Sequence, residues 1–330
     1  MKWFVNTVSA LAVSTAAAFD SDAWLRKRED MAREASRLKA LYADCAAKAT
    51  EPAENVAVPI ESHPGGAVKS SVVAKKAQFF LESGLIWGEG VVVRELKADG
   101  SEFARIDAEN CIVDRNARSG WAQGRVKAVY GGTVLEGEGV YLSFAGEFVA
   151  ITDKAKIVSS EFDVDSRRGE KRGNGDGKGC VTSLSSRRAD YDRKEGVIMF
   201  DGHVALDALV RGEEYAMRAD QMFVFLDGTN DMKRVVALGG VVVTNGFRVG
   251  SCEKAVYAKA ANRVTMYGGD DGSKARLASE DPKQKGEVEG RKITFWLDSE
   301  QVEVEGSTVK LDAGRLEGDG KKGMKGLFGK

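Results

Sequence analysis

The sequence predicts an all-β chain of repeated hairpins with one helix ahead of them. Three observations carry this. A short phrase recurs six times, its segments alternate apolar and polar residues, and only the region before residue 50 holds a long 3.6-residue period. The phrase runs small residue, second small or apolar residue, apolar or aromatic residue, then glycine. Its copies are Ala74/Ala77/Phe79/Gly90, Ala108/Cys111/Val113/Gly124, Ser186/Ala189/Tyr191/Gly202, Ala219/Met222/Val224/Gly240, Cys252/Ala255/Tyr257/Gly268 and Gly290/Ile293/Phe295/Gly306. One such unit cannot bury its own apolar face and must stack on its neighbours. The regularity fits an extended curved antiparallel sheet, an open jelly roll or a β-solenoid.

Taken in order, the chain opens on a secretory-type leader, residues 1–18. Lys2 supplies the positive end, Phe4 to Ala18 is small and apolar, and Ala16-Ala17-Ala18 forms a cleavage signature. An uncleaved anchor is the alternative. Residues 19–66 read as a helix and a linker. Over 22–48, Trp24, Met31, Ala35, Leu38, Leu41, Tyr42 and Cys45 share one face, with Arg26, Lys27, Arg28, Glu29, Arg33 and Lys39 on the other. Such a helix packs on the body, forms a coiled-coil arm, or docks on a membrane surface or partner. Pro52, Pro59 and Pro64-Gly65-Gly66 mark the linker.

Residues 67–165 form a first repeat block and 181–316 a second, cleaner one. Between them, 166–180 is rich in glycine and arginine and flexible by composition. Within the units, Gln301-Val302-Glu303-Val304-Glu305 alternates strictly, as a strand with one buried face does. Turn signals such as Asp192 to Gly196 and Thr244-Asn245-Gly246 separate the strands. Each unit therefore reads as strand, tight turn, strand, and a second turn at the glycine. The fourth copy carries an extra loop around Gly228 to Asp231. Residues 317–330 form a basic, disordered tail.

The chemistry-bearing residues are sparse. The formal net charge is −1, which argues against a nucleic-acid partner. Of two histidines, His63 stands in the linker and His203 follows a turn glycine, so no catalytic triad has a base. A carboxylate pair such as Glu303/Glu305 has the residue types for glycoside hydrolysis, but strand alternation explains it without catalysis. Gly173 to Gly177 lacks the full ligand pattern of a calcium loop. Cys111 and Cys252 occupy small-residue slots of the repeat and read as buried thiols, whereas Cys180 is the freest of the four cysteines to pair. No catalytic residue, metal or cofactor is expected.

Ser186 to Gly196 through Gly202-His203-Val204, Phe247 to Tyr257, and Gly290 to Gly306 resemble the OstA-like family of periplasmic lipopolysaccharide-transport proteins: LptA, LptC and the N-terminal part of LptD. The similarity spans roughly 70–310, with the first block closer to LptC and the second to LptA. It implies an open, twisted antiparallel β-jelly roll around an apolar groove that shelters acyl chains. It also implies a periplasmic, non-enzymatic protein that docks related β-jelly-roll proteins edge to edge and bridges the inner and outer membranes. Phe79, Val113, Tyr191, Val224, Tyr257 and Phe295 then become groove residues. Arg187, Arg188, Arg248, Lys254, Arg291 and Lys292 become rim contacts for lipid phosphate. The strands around 72–81 and 301–311 become the docking edges, which would also serve a homo-oligomer. The competing reading is an envelope scaffold that assembles through the same edges without lipid.

Overall fold

The computed structural model describes residues 20–130, 133–143, 147–159, 181–210, 213–227, 232–279, 285–297, 301–306 and 308–310. The leader, the 166–180 linker with Cys180 and the calcium-like run, the inserted loop at 228–231 and the basic tail lie outside these residues.

Helix α1 (Ser21–Lys48) begins at Asp20, whose carboxylate accepts a 2.9 Å hydrogen bond from the Ala23 amide. Among the described residues nineteen strands follow in one antiparallel sheet. The first seven are β1 (Ala53–Ser62), β2 (Val68–Phe80), β3 (Leu85–Leu96), β4 (Glu102–Asp114), β5 (Ser119–Tyr130), β6 (Thr133–Ser143) and β7 (Phe148–Ser159). Then come β8 (Val181–Ser186), β9 (Arg188–Asp192), β10 (Val197–Val210), β11 (Glu213–Leu226), β12 (Met232–Asn245) and β13 (Arg248–Ala258). The last are β14 (Arg263–Tyr267), β15 (Ala275–Ser279), β16 (Gly286–Gly290), β17 (Lys292–Trp296), β18 (Val302–Glu305) and β19 (Thr308–Lys310).

The repeat glycine does something other than expected. Gly90, Gly124, Gly202 and Gly240 lie inside long strands, not between them, and all four have positive φ. At the last three of these the register shifts, between Ala122 and Arg125, between Asp201 and Val204 and between Leu238 and Val241, whereas at Gly90 it runs on unbroken. Each shift is a bulge that bends its strand. Bent in line, the strands fold the sheet over a crease into two facing half-sheets. β8 with β9, and β14 with β15, are crease-broken equivalents, since each pair shares one long partner strand. Only a residue tolerating φ near +80° serves at Gly124 and Gly202 without strain.

The small residues of the phrase flank this crease, where the half-sheets converge. Ala77, Ala189, Ala219 and Ala255 are all buried. Gly137 shows the tightness: a Cβ there would overlap Ile151 Cγ2 on the facing half-sheet and sit 3.2 Å from the Asp153 carbonyl oxygen. Gly137→Ala is therefore expected to lose about 1–3 kcal/mol in urea unfolding. Adding Ile151→Val should recover part of that loss, and an unchanged midpoint in the single variant would show that the crease is slack.

Two differences from expectation concern the N-terminal region. Residues 53–62, read as linker, form β1 and pair with β2 from Ala53–Ala77 to Ser62–Val68. The edge is thus β1, and the 72–81 segment is an interior strand. Lys27 and Arg28, placed by periodicity on the solvated face of the helix, instead reach sheet carboxylates. Long cationic side chains flanking an apolar stripe can lay their stems along it and turn their heads inward to a partner.

α1 lies across the outer face of one half-sheet. Its contacts step back along the strand order. The Trp24 ring meets Phe223 of β11 at 6.0 Å, and Lys27 reaches Asp192 of β9 at 2.6 Å. Arg28 bonds Asp190 at 2.6 Å and Asp201 at 2.8 Å, and the Tyr141 hydroxyl of β6 lies 3.5 Å from the Met31 sulfur. The Ser119 hydroxyl then donates to Glu34 and Arg37 bonds Asp114. A 28-residue helix is about 42 Å long. Crossing from β12 to β3 takes about 38 Å at 4.8 Å per strand interval. The helix therefore spans strands on both sides of the 166–180 segment, and its core includes Trp87 and Trp121 as well as Phe223 and Val236.

Candidate functional site

Alternation assigns each strand residue to the helix side or to the space between the half-sheets. In β10, Val197 and Met199 pack under α1, whereas Ile198 and Phe200 face inward. In β11, Phe223 is outside and Val224 inside. The inward residues of both half-sheets form a single apolar cluster that runs from Ala122 to Phe295.

Within that cluster lies a cleft enclosing about 850 Å³ of empty space, counting its open mouth. Its floor and walls include Ile157 of β7, Ile198, Phe200, Met217, Val235 and Val264. Among the described residues no charged side chain lines it; Thr182, Tyr215, Thr244, Asn245 and Tyr257 are its polar members. This composition suits a hydrocarbon chain and offers nothing for acid–base chemistry.

Three of the six groove residues read from the sequence, Val224, Tyr257 and Phe295, line the cleft together. Tyr191 packs against the same cluster. Phe79 is 41% exposed and stands apart from it, and Val113 is half-buried outside it. The rim cations divide more sharply. Arg188, Lys254 and Lys292 alternate with inward residues and point to the outer face. There Arg188 bonds Asp190, Lys254 lies 5.6 Å from the Tyr267 ring, and Lys292 pairs with Glu305. Burial, helped by the nearby Arg234 charge, holds the Lys254 ammonium below its ordinary pKa. Arg187 and Arg291 sit at the crease, against Gly202 and Gly306. Arg248 alone of the six stands at the lip, cross-strand from Asn245.

Sequence reasoning missed Ile198, Phe200, Met217, Val235 and Val264. The signal was present in Val197–Phe200, Met222–Phe225 and Val235–Leu238, where both parities are apolar. A run of that kind marks a strand covered on both faces. Cys111 and Cys252, read as buried, are partly buried; desolvation still pushes both thiols up to about 12, so both stay protonated. Among the described residues no cluster could hold a metal ion, and no helix is long and apolar enough to cross a membrane.

Residues 183–301 match the family described as LptA/(LptD N-terminal domain) LPS transport protein. The chain is also similar to the crystal structure of LptH from Pseudomonas aeruginosa, described as the LptA-homologous periplasmic component of the lipopolysaccharide transport device. That match has 15% identity and a TM-score of 0.33, covering 40% of this chain and 94% of that one. No curated protein matches. Over residues 183–301 the chain is thus similar to lipopolysaccharide-transport domains of the LptA and LptD N-terminal type.

Proposed function

We propose that the chain is a non-enzymatic periplasmic conduit that holds acyl chains of lipopolysaccharide, or a related lipid, between its half-sheets. The observation that carries this reading is the uncharged cleft, lined mostly by residues of the 183–301 segment that is similar to the transport family. Each methylene taken from water contributes about 0.8 kcal/mol, so partial burial of a few acyl chains outweighs several polar contacts. In this reading the 67–165 block is the LptC-like unit and 181–316 the LptA-like unit. The edges β1 and β18/β19 accept related jelly-roll proteins, or a second copy, by strand addition.

Photo-crosslinking residues in cells test it. At Val224 and Phe295, lipopolysaccharide adducts are expected. At Phe223 and Trp296, the neighbouring outward positions, lipid adducts are not expected, and Phe223 should crosslink to α1. Lipid adducts at neither parity, with protein adducts alone, would favour the edge-assembled scaffold instead.

A further inference from the structure

Cross-strand register places a row of residues along the lip of the half-sheet formed by β6, β7, β8, β10, β11 and β12. Thr133 pairs with Ser159, and Ser159 with Thr182. Thr182 pairs with Ala208, Ala208 with Tyr215, and Tyr215 with Asn245. Directly paired residues share a face of the sheet. Ala208 is buried in the wall of the cleft, so the row faces inward. Thr182, Tyr215 and Asn245 line the cleft themselves. From Thr133 to Asn245 every member is uncharged, and all but Ala208 can donate and accept hydrogen bonds. Thr133 Oγ1 and Ser159 Oγ lie 2.8 Å apart and continue the register into the first block, where Ser159 is fully buried, so Thr182, Tyr215 and Asn245 are the members that meet the cleft.

We infer that this row is a binding rail for the neutral polar boundary of a lipid: the ester, amide or hydroxyl groups joining acyl chain to headgroup. The inference rests on the conduit reading above. An apolar cleft alone fixes how deep a chain sinks only by its length. A line of neutral hydrogen-bonding groups at the lip holds the boundary at one height and offers the next group as the lipid moves along the strands. The uncharged stretch ends at Asn245, whose next cross-strand partner is the cation Arg248. Hydroxyls that already bond one neighbour keep an acceptor or donor site for a second partner.

The test compares two probes with the same alkyl chain, dodecyl maltoside and dodecyltrimethylammonium, titrated below their micellar concentrations into the full chain. Wild type should bind the maltoside more tightly. The variant Thr182→Val/Tyr215→Phe/Asn245→Leu keeps the cleft's shape but lacks the row's three cleft-lining members. It should bind maltoside about tenfold more weakly, as loss of a few net-favourable hydrogen bonds implies, while its affinity for the ammonium probe is unchanged. Thr182→Ser should keep wild-type preference. If the triple variant does not fold by circular dichroism, Thr182→Val and Asn245→Leu singly give the same comparison with smaller changes. Equal binding of both probes by wild type, or no loss of preference in the variants, overturns the rail and leaves the conduit standing. Binding of neither probe by wild type overturns both.

Discussion

Arg28→Met is expected to cost about 3 kcal/mol in urea unfolding, the lower end of the range for breaking a buried ion pair. The guanidinium bridges two carboxylates, and its Asp190 partner has no exposed side-chain surface. Removing the cation leaves a carboxylate desolvated on the outer face. The loss stays at the low end because Arg188 also grips Asp190, at 2.6–3.0 Å. Adding Asp201→Asn should restore part of the stability, since one of the two orphaned charges goes with it. The pH profile supplies an independent readout. Burial raises the Asp201 pKa, but the Arg28 hydrogen bond and charge, with a hydrogen bond from Gln221, prevail and hold it below the usual range. The unfolded chain therefore takes up the proton first as pH falls below about 4. The stabilisation is present above that pH and is lost as pH drops through the folded-state value. Arg28→Met should flatten this acid limb. An equally steep limb in the variant would show that Asp201 is held by other groups.

Phe223→Ala should be the other severe change, at about 3–5 kcal/mol for a fully buried phenylalanine. Its ring meets Trp24 edge-on at 6.0 Å and stacks on Phe225 at 6.5 Å. A double-mutant cycle with Trp24→Ala should give a coupling of about 0.5–1.5 kcal/mol, and Trp24 fluorescence should shift as the helix start loosens. Val224→Ala, one residue on, removes cleft wall and leaves the helix seat intact. It should therefore cost less and leave the Trp24 signal unchanged. If the two variants behaved alike, the assignment of Phe223 and Val224 to opposite faces would be wrong.

The antiparallel strands and the helix were legible because their periods differ: alternation in Val302–Glu305, a 3.6-residue stripe from Trp24 to Cys45. The placement of the helix was legible only in part. Double-parity runs such as Met222–Phe225 announce a covered face, but periodicity alone could not pair Lys27 and Arg28 with Asp192, Asp190 and Asp201, which lie more than 160 residues away. The glycines were read as turns because a positive φ is the same local event in a hairpin and in a bulge. What separates them is register with the neighbouring strands, a non-local quantity. Val224, Tyr257 and Phe295 hold the repeat slot and line the cleft, while Phe79 and Val113 in the equivalent slot stand outside the cluster. The slot is conserved in spacing along the chain, but closure by a facing half-sheet differs between its ends.

The crease through every long strand has a geometric consequence. Because each long strand contributes one arm to either wall, and each crease-broken pair one strand to each, the trough's cross-section is set by half a long strand's length and is independent of how many strands there are. Its length is set by strand number alone. From β1 to β18 one wall crosses fifteen strands, about 67 Å at 4.8 Å per interval. Deleting or duplicating a hairpin unit would shorten or lengthen the molecule by about 10 Å while leaving its bore unchanged, so the chain behaves as a modular ruler.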